Sequence, residues 1–212
     1  MKYFGLLLTA FLFFAVANCQ NNTARINQMK AELEKSKDPI ALAKKWKKKY
    51  KIDTISVISP GKYMGIGDSL AYTGKIGKAY GPFPGGDSII VVIAGKAFNM
   101  FYHAAHILFD TITFHKKVAS TMADNFIKQI RSGDKKFEDL AHTYNIDGSG
   151  VNGGDFGLYP RGILLPELDR EIVKHKKGDI FKVISRNGVH IVKIVENPKK
   201  DIGFAIMLRI FL

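Results

Sequence analysis

Cysteine is nearly absent. Cys19 is the only one in 212 residues, so no internal disulfide can staple the fold and a packed apolar core must hold it. Acidic side chains are also scarce, 19 against 32 Lys and Arg, which leaves a formal net charge of +13. That balance favours acidic partners or anionic headgroups. A nucleic-acid role is the weaker explanation, because no motif of that class is present. No close-spaced pair of ligands marks a zinc site, and the reading calls for no metal and no cofactor. Long apolar runs are missing as well: the stretch from Phe4 to Ala17 falls short of the roughly 20 residues of a membrane-spanning helix. What remains is 46% hydrophobic, the composition of a globular chain with room for one domain plus extensions or for two small units.

The first 19 residues read as an export signal, with Lys2 as the positive end, the apolar run behind it, and Ala15-Val16-Ala17 as a small-residue cleavage site. Loss of Lys2 with the signal leaves 13 − 1 = +12. Val16-Ala17-Asn18-Cys19 also resembles a bacterial lipobox, although Asn18 stands where Gly, Ala or Ser is usual. Two fates are open, lipidation at Cys19 with membrane association, or simple cleavage after Ala17. Both place the protein outside the cytoplasm, in the periplasm or cell envelope.

Residues 20–100 are expected to form N-terminal helices and a hairpin. Ile26, Met29 and Leu33 recur at helical spacing, and Asp38-Pro39 caps and opens a second helix carrying Leu42, Trp46 and Tyr50 on one face. Lys44, Lys45, Lys47, Lys48, Lys49 and Lys51 crowd around that helix. They read as a solvated face first and as attraction to a membrane surface second. From Tyr72 onward turn signals, including Pro84-Gly85-Gly86, lead into the β-branched run Ile89 to Ile93, which reads as a hairpin.

Phe101 to Phe109 reads as a strand with His106 on the face of Ala104 and Leu108. A helix follows with the stripe Val118, Met122, Phe126 and Ile130 and a stop at Gly133, then a shorter one through Phe137, Leu140, Ala141 and Tyr144. The segment Asp147 to Leu168 is too rich in glycine for a helix, yet it holds Phe156, Leu158, Tyr159, Leu164 and Leu168. On spacing alone, a tight connection completing the core outweighs a ligand pocket. Pro166 opens a third helix, with Leu168, Ile172 and Val173 inward and Gly178 at its end. Ile180 to Ile184 and Val189 to Val195 then make a hairpin about Asn187-Gly188.

Taken in order, Ala105-His106-Ile107-Leu108, Phe137-Glu138-Asp139-Leu140-Ala141, Gly153-Gly154-Asp155-Phe156-Gly157, Leu164-Leu165-Pro166-Glu167-Leu168, Lys177-Gly178-Asp179-Ile180 and Gly188-Val189-His190-Ile191-Val192-Lys193 resemble the parvulin family of peptidyl-prolyl cis-trans isomerases. The resemblance covers about residues 101–197. It implies an α+β fold, a small antiparallel sheet surrounded by helices. It also implies catalytic roles for His106, Asp147 and His190, and a proline pocket of Phe156, Leu164 and Leu168. Leu168 stands where the family usually has Phe, and Phe181 where a small hydroxyl residue is common. By default an Asp in such a loop binds its own backbone, and a His in an apolar strand is a satisfied core residue. The resemblance implies an isomerase that helps exported proteins fold. The alternative is a catalytically weak parvulin-fold chaperone for unfolded or proline-containing clients. As a pocket wall, Leu168 replaced by Asp is expected to cost binding more than stability.

Residues 198–212 read as a further strand, with Ile202, Phe204, Ile206, Leu208 and Ile210 alternating on one face. Either it pairs with the Ile89 to Ile93 hairpin, or the chain is the front of a longer protein that supplies the partner.

Overall fold

The computed structural model describes residues 22–83 and 88–212; the residues read as an export signal, Cys19 and the turn expected at Pro84-Gly85-Gly86 lie outside them. Two compact units result, one from the chain up to Ser56 with Met64–Lys96 and Phe204–Leu212, the other from Val57–Tyr63 and Ala97–Gly203. Two long strands, β3 (Ile89–Asp110) and β6 (Gly188–Phe211), contribute a section to each.

In the first unit α1 (22–35) is followed by α2 (Pro39–Lys45). The α2 start is built as its sequence predicts, with Pro39 in the first turn and the Asp38 carboxylate accepting the Ala41 N–H at 2.9 Å. The helix ends before Tyr50, which is instead the first residue of β1 (Tyr50–Ser56). This corrects the helical face assigned to Leu42, Trp46 and Tyr50. The reason is long-range pairing: β1 runs antiparallel to the end of β6, Tyr50 opposite Ile210 and Ser56 opposite Phe204. The C-terminal segment is thus the continuation of β6 rather than a separate strand. It pairs internally: in the sheet order β1-β6-β3-β2 its strand lies between β1 and β3, and the Leu212 N–H donates to the Ser88 carbonyl at 2.9 Å beside the Ile89 to Ile93 run. After α3 (Ile66–Thr73), which takes Tyr72 into a helix, β2 (Ala79–Phe83) pairs with β3 as the expected hairpin, Ala79 opposite Val92 and Phe83 opposite Ile89. Met29, Leu33, Ala43, Ile90, Val92, Leu208 and Ile210 form its core.

The second unit is an antiparallel sheet with helices around it, an α+β fold. Alternation along β3 and β6 sorts their side chains onto two faces. Ala105, Ile107, Phe109, Val189 and Ile191 pack against α4 (Lys116–Ser132) and α5 (Phe137–Tyr144). Tyr102, Ala104, Val192 and Ile194 pack with Tyr159 of β4 (Asp155–Pro160), with Leu168 and Ile172 of α6 (Pro166–Ile172), and with Val183 of β5 (Ile180–Ile184). Gly133 ends α4 in the left-handed conformation, φ 83°, as its position predicts. The buried stripe of α4 is Ala119, Ala123 and Ile127, one residue round from the one read in the sequence. Met122, Phe126 and Ile130 flank it, and Val118 is 53% exposed. Small residues win the centre because they let the helix approach the sheet closely. The third helix is shorter than expected, closing at Val173, which is 36% exposed rather than inward. The β5–β6 hairpin pairs Ile184 with Val189 and Ile180 with Lys193.

Candidate active site

His106 and His190 sit 84 residues apart and meet because β3 and β6 present them on the same face, toward β4 and α6. Their Nδ1 atoms are 3.1 Å apart, and both residues are buried. The third partner comes from the loop after α5. Asp147 makes the local turn its residue type predicts, one carboxylate oxygen accepting the Ser149 N–H at 3.1 Å and the Ser149 hydroxyl at 2.6 Å. Its other oxygen lies 2.9 Å from His106 Nε2. Turn residue and site residue are therefore the same residue in two capacities.

The loop is tied to β3 at two points. Asn145 donates to the His106 carbonyl at 2.8 Å and to the Ser149 hydroxyl at 2.8 Å, and accepts the Leu108 N–H at 2.7 Å. Gly154, at φ 81°, accepts the His106 N–H at 2.9 Å, and a Cβ on it would strike the His106 carbonyl. A side chain there would push the glycine-rich segment off the strand.

Burial disfavours the charged form of both imidazoles. It lowers His106 below its ordinary value against the pull of Asp147, and it lowers His190, with a smaller push from His106, to about 4. For Asp147 burial acts upward, but the Ser149 hydroxyl and amide, then His106, leave the carboxyl below its usual value. His106 Nε2 lies 3.0 Å from the Ser149 hydroxyl oxygen as well as 2.9 Å from the Asp147 carboxylate, and the negative charge there favours a proton on Nε2. His106 donates from Nε2 to Asp147 and accepts at Nδ1 from His190 Nδ1–H; His190 Nε2 then accepts the Ser185 hydroxyl proton at 2.7 Å. Ser185 in turn accepts the Asn187 N–H at 3.1 Å. Every hydrogen bond in the chain points toward Asp147.

Phe156 lies against this network, its ring 4.4 Å from that of His106 and edge-on to Tyr159 at 5.9 Å. The segment bearing it is pinned by Asp155, which receives the Gly157 N–H at 2.7 Å and touches His103 Nε2 at 2.8 Å. Phe156 and Leu164 are half-buried against the second core cluster, whereas Leu168 is 3% exposed and belongs to it. A carboxylate at 168 would strike the core, so the expectation that such a change costs binding more than stability gives way. Asn145, Ser149, Ser185 and His103 were not singled out in the sequence. Only Ser149, two residues after Asp147, carried a local cue, the spacing of an Asx turn. Among the described residues no group of three or more His, Cys, Asp or Glu is placed to hold a metal ion.

A family model for the PPIC-type PPIase domain matches residues 88–198, just over half of the chain. The chain belongs to this family, the parvulin-type peptidyl-prolyl cis-trans isomerases. It is 38% identical over 85 residues to the chaperone SurA of Shewanella sp. (strain MR-4), covering 39% of this chain and 20% of that one. Against the chaperone SurA of Bordetella avium (strain 197N) it is 31% identical over 102 residues, covering 47% and 20%. Among solved structures, the peptidylprolyl isomerase PrsA from Bacillus anthracis is 31% identical with a TM-score of 0.40, over 47% of this chain and 42% of that one. The matched part thus spans about a fifth of the length of these curated relatives.

Proposed function

We propose that this chain catalyses cis-trans isomerisation of Xaa-Pro peptide bonds in unfolded polypeptide clients, as a foldase for exported proteins in the cell envelope. The functional domain is residues 101–197, and the export signal lies within residues 1–19, with Cys19 as the point of lipidation if that route is taken. One observation carries the reading: His106 holds the Asp147 carboxylate at 2.9 Å while its ring lies 4.4 Å from the apolar ring of Phe156.

The reaction needs neither cofactor nor covalent step, since the barrier of roughly 18–20 kcal/mol arises from amide resonance. Phe156 and Leu164, backed by Leu168, would hold the proline ring. Twisting the C–N bond breaks conjugation and withdraws negative charge from the preceding carbonyl oxygen. A fixed carboxylate near that oxygen therefore destabilises the planar amide more than the twisted one. The network keeps Asp147 charged and still: one oxygen is held by His106, the other by Ser149, and His190 and Ser185 fix the tautomer of His106. In a protease-coupled assay on a proline peptide, Asp147→Asn should lower kcat/KM on the order of a hundredfold, the scale of losing one preorganised electrostatic group. Full activity in a folded Asp147→Ala variant would refute the electrostatic part.

The burial of Leu168 supports a second reading, because it leaves Phe156 and Leu164 as the apolar surface on offer. A shallower pocket suits a chaperone that holds clients and turns over slowly. Peptide binding without measurable isomerisation would select it.

A further inference from the structure

The lysines from 44 to 51 take no part in the site above. Among the described residues none of the six forms an ion pair with a carboxylate, and only Lys49 has an aromatic partner, the Phe211 ring at 5.4 Å. Of the nearby acids, Asp38 caps α2, Glu34 pairs with Lys78 at 3.1 Å and Asp53 pairs with Arg209 at 2.6 Å, while Glu32 accepts from the Gln28 amide at 3.0 Å. Five of the six lysines are exposed and Lys48 is half-buried. Lys47 is the one non-glycine residue with positive φ, 53°, among the described residues. It closes α2 with its N–H on the Lys44 carbonyl at 2.9 Å and the Lys48 N–H on the Ala43 carbonyl at 3.1 Å. Helices usually give that left-handed position to glycine. Here the backbone strain is kept and another positive charge is gained.

Beside this turn is a cleft of about 260 Å³ lined by Trp46, Met29, Arg25, Lys48, Gln28 and Glu32. The Trp46 ring is half-buried against the core of the first unit, with the lysines on both sides of it in sequence. We infer that residues 44–51, with Trp46 and the adjoining cleft, form a docking surface for anionic phospholipid headgroups. The residue types decide among anionic partners. Positions 44–51 hold six lysines and no arginine, and the cleft adds one guanidinium, that of Arg25, so flexible point charges outnumber the planar fork that reads carboxylates or phosphates in fixed geometry. Such charges suit a diffuse negative surface, and tryptophan is the residue that sits at the boundary between headgroup and acyl chain. The inference is independent of the isomerase reading.

The test is co-sedimentation of the full chain with phosphatidylcholine vesicles and with vesicles of equal parts phosphatidylcholine and phosphatidylglycerol. The apolar N-terminal run is common to every variant, so the preference for anionic lipid is what reports the patch. Each lysine near an anionic surface corresponds to about a fivefold change in partitioning. Changing Lys44, Lys45, Lys47 and Lys48 together to Gln should therefore reduce the anionic preference on the order of a hundredfold or more. Trp46 fluorescence and far-UV circular dichroism check the fold. Lys47→Gly alone should weaken anionic binding about fivefold while raising Tm, a combination that misfolding cannot produce. Equal binding of wild type to both vesicle types, or wild-type preference in the fourfold variant, overturns the inference. Binding to soluble polyglutamate but not to anionic vesicles also overturns it, by assigning the patch to an acidic protein.

Discussion

Lowering the pH should destabilise the domain through its histidine pair. His190 has its pKa lowered from 6.5 to about 4, first by burial and then by His106, so between those values the unfolded chain binds one proton more than the folded chain. Stability then rises with pH across that window. His190 gives its full contribution above the unfolded value, loses it as pH falls below about 6.5, and has lost all of it near 4. The drop from 6.5 to about 4 corresponds to roughly 3 kcal/mol, of which about 2 kcal/mol is lost by about pH 5. His106 is shifted in the same direction and adds to the slope. Asp147 has its pKa lowered, so its contribution disappears only below the usual carboxylate range, while Asp169, raised by burial, acts with the opposite sign and offsets part of the slope at the acid end. Urea unfolding followed by circular dichroism between about pH 7 and 5 measures the slope, and His190→Asn supplies the baseline. The variant is expected to be less stable at neutral pH and flatter in its pH dependence. An NMR titration of the His190 ring should give an apparent value near 4. A ring titrating near 6.5, or equal slopes in wild type and variant, would refute the reasoning.

Leu168→Asp should cost more than about 3 kcal/mol, because it strands an unpaired charge among Tyr102, Ile172 and Val192. Urea melts check it, and a wild-type midpoint would put position 168 at the surface. Gly154→Ala should cost at least about 2 kcal/mol, from a positive φ and the collision with the His106 carbonyl, and should lower isomerase activity out of proportion to stability. Thermal melting set beside the coupled assay separates the two effects. A piece spanning residues 97–203 should fold alone, since it contains both faces of its sheet and their helices; a collapsed amide NMR spectrum would count against that.

Much of the second unit was legible in the sequence because its signals are local or periodic. Asp38-Pro39 and Gly133 set helix ends through the bonds of a single turn, alternation placed His106 and His190 within strands, and Asp147 announced a turn. What depended on distant chain was not legible. Tyr50 matched a helical stripe, but its partner Ile210 lies at the far end of the chain, and pairing with that strand overrode the local period. The α4 stripe turned by one residue because close packing on the sheet favours Ala119 and Ala123 over the larger Val118. Leu168 carried an apolar side chain suited to core or pocket, and only the packing of α6 on Tyr102 and Val192 buried it. The candidate site divides the same way. His106 and His190 stand in the ordered motifs as candidates, and Asp147 was a candidate only through the family resemblance. The hydrogen bonds that hold Asp147 and His190 were not legible, since they involve Ser149, Ser185 and Asn145, small polar residues whose meaning comes from the atoms that folding brings within 3 Å of them.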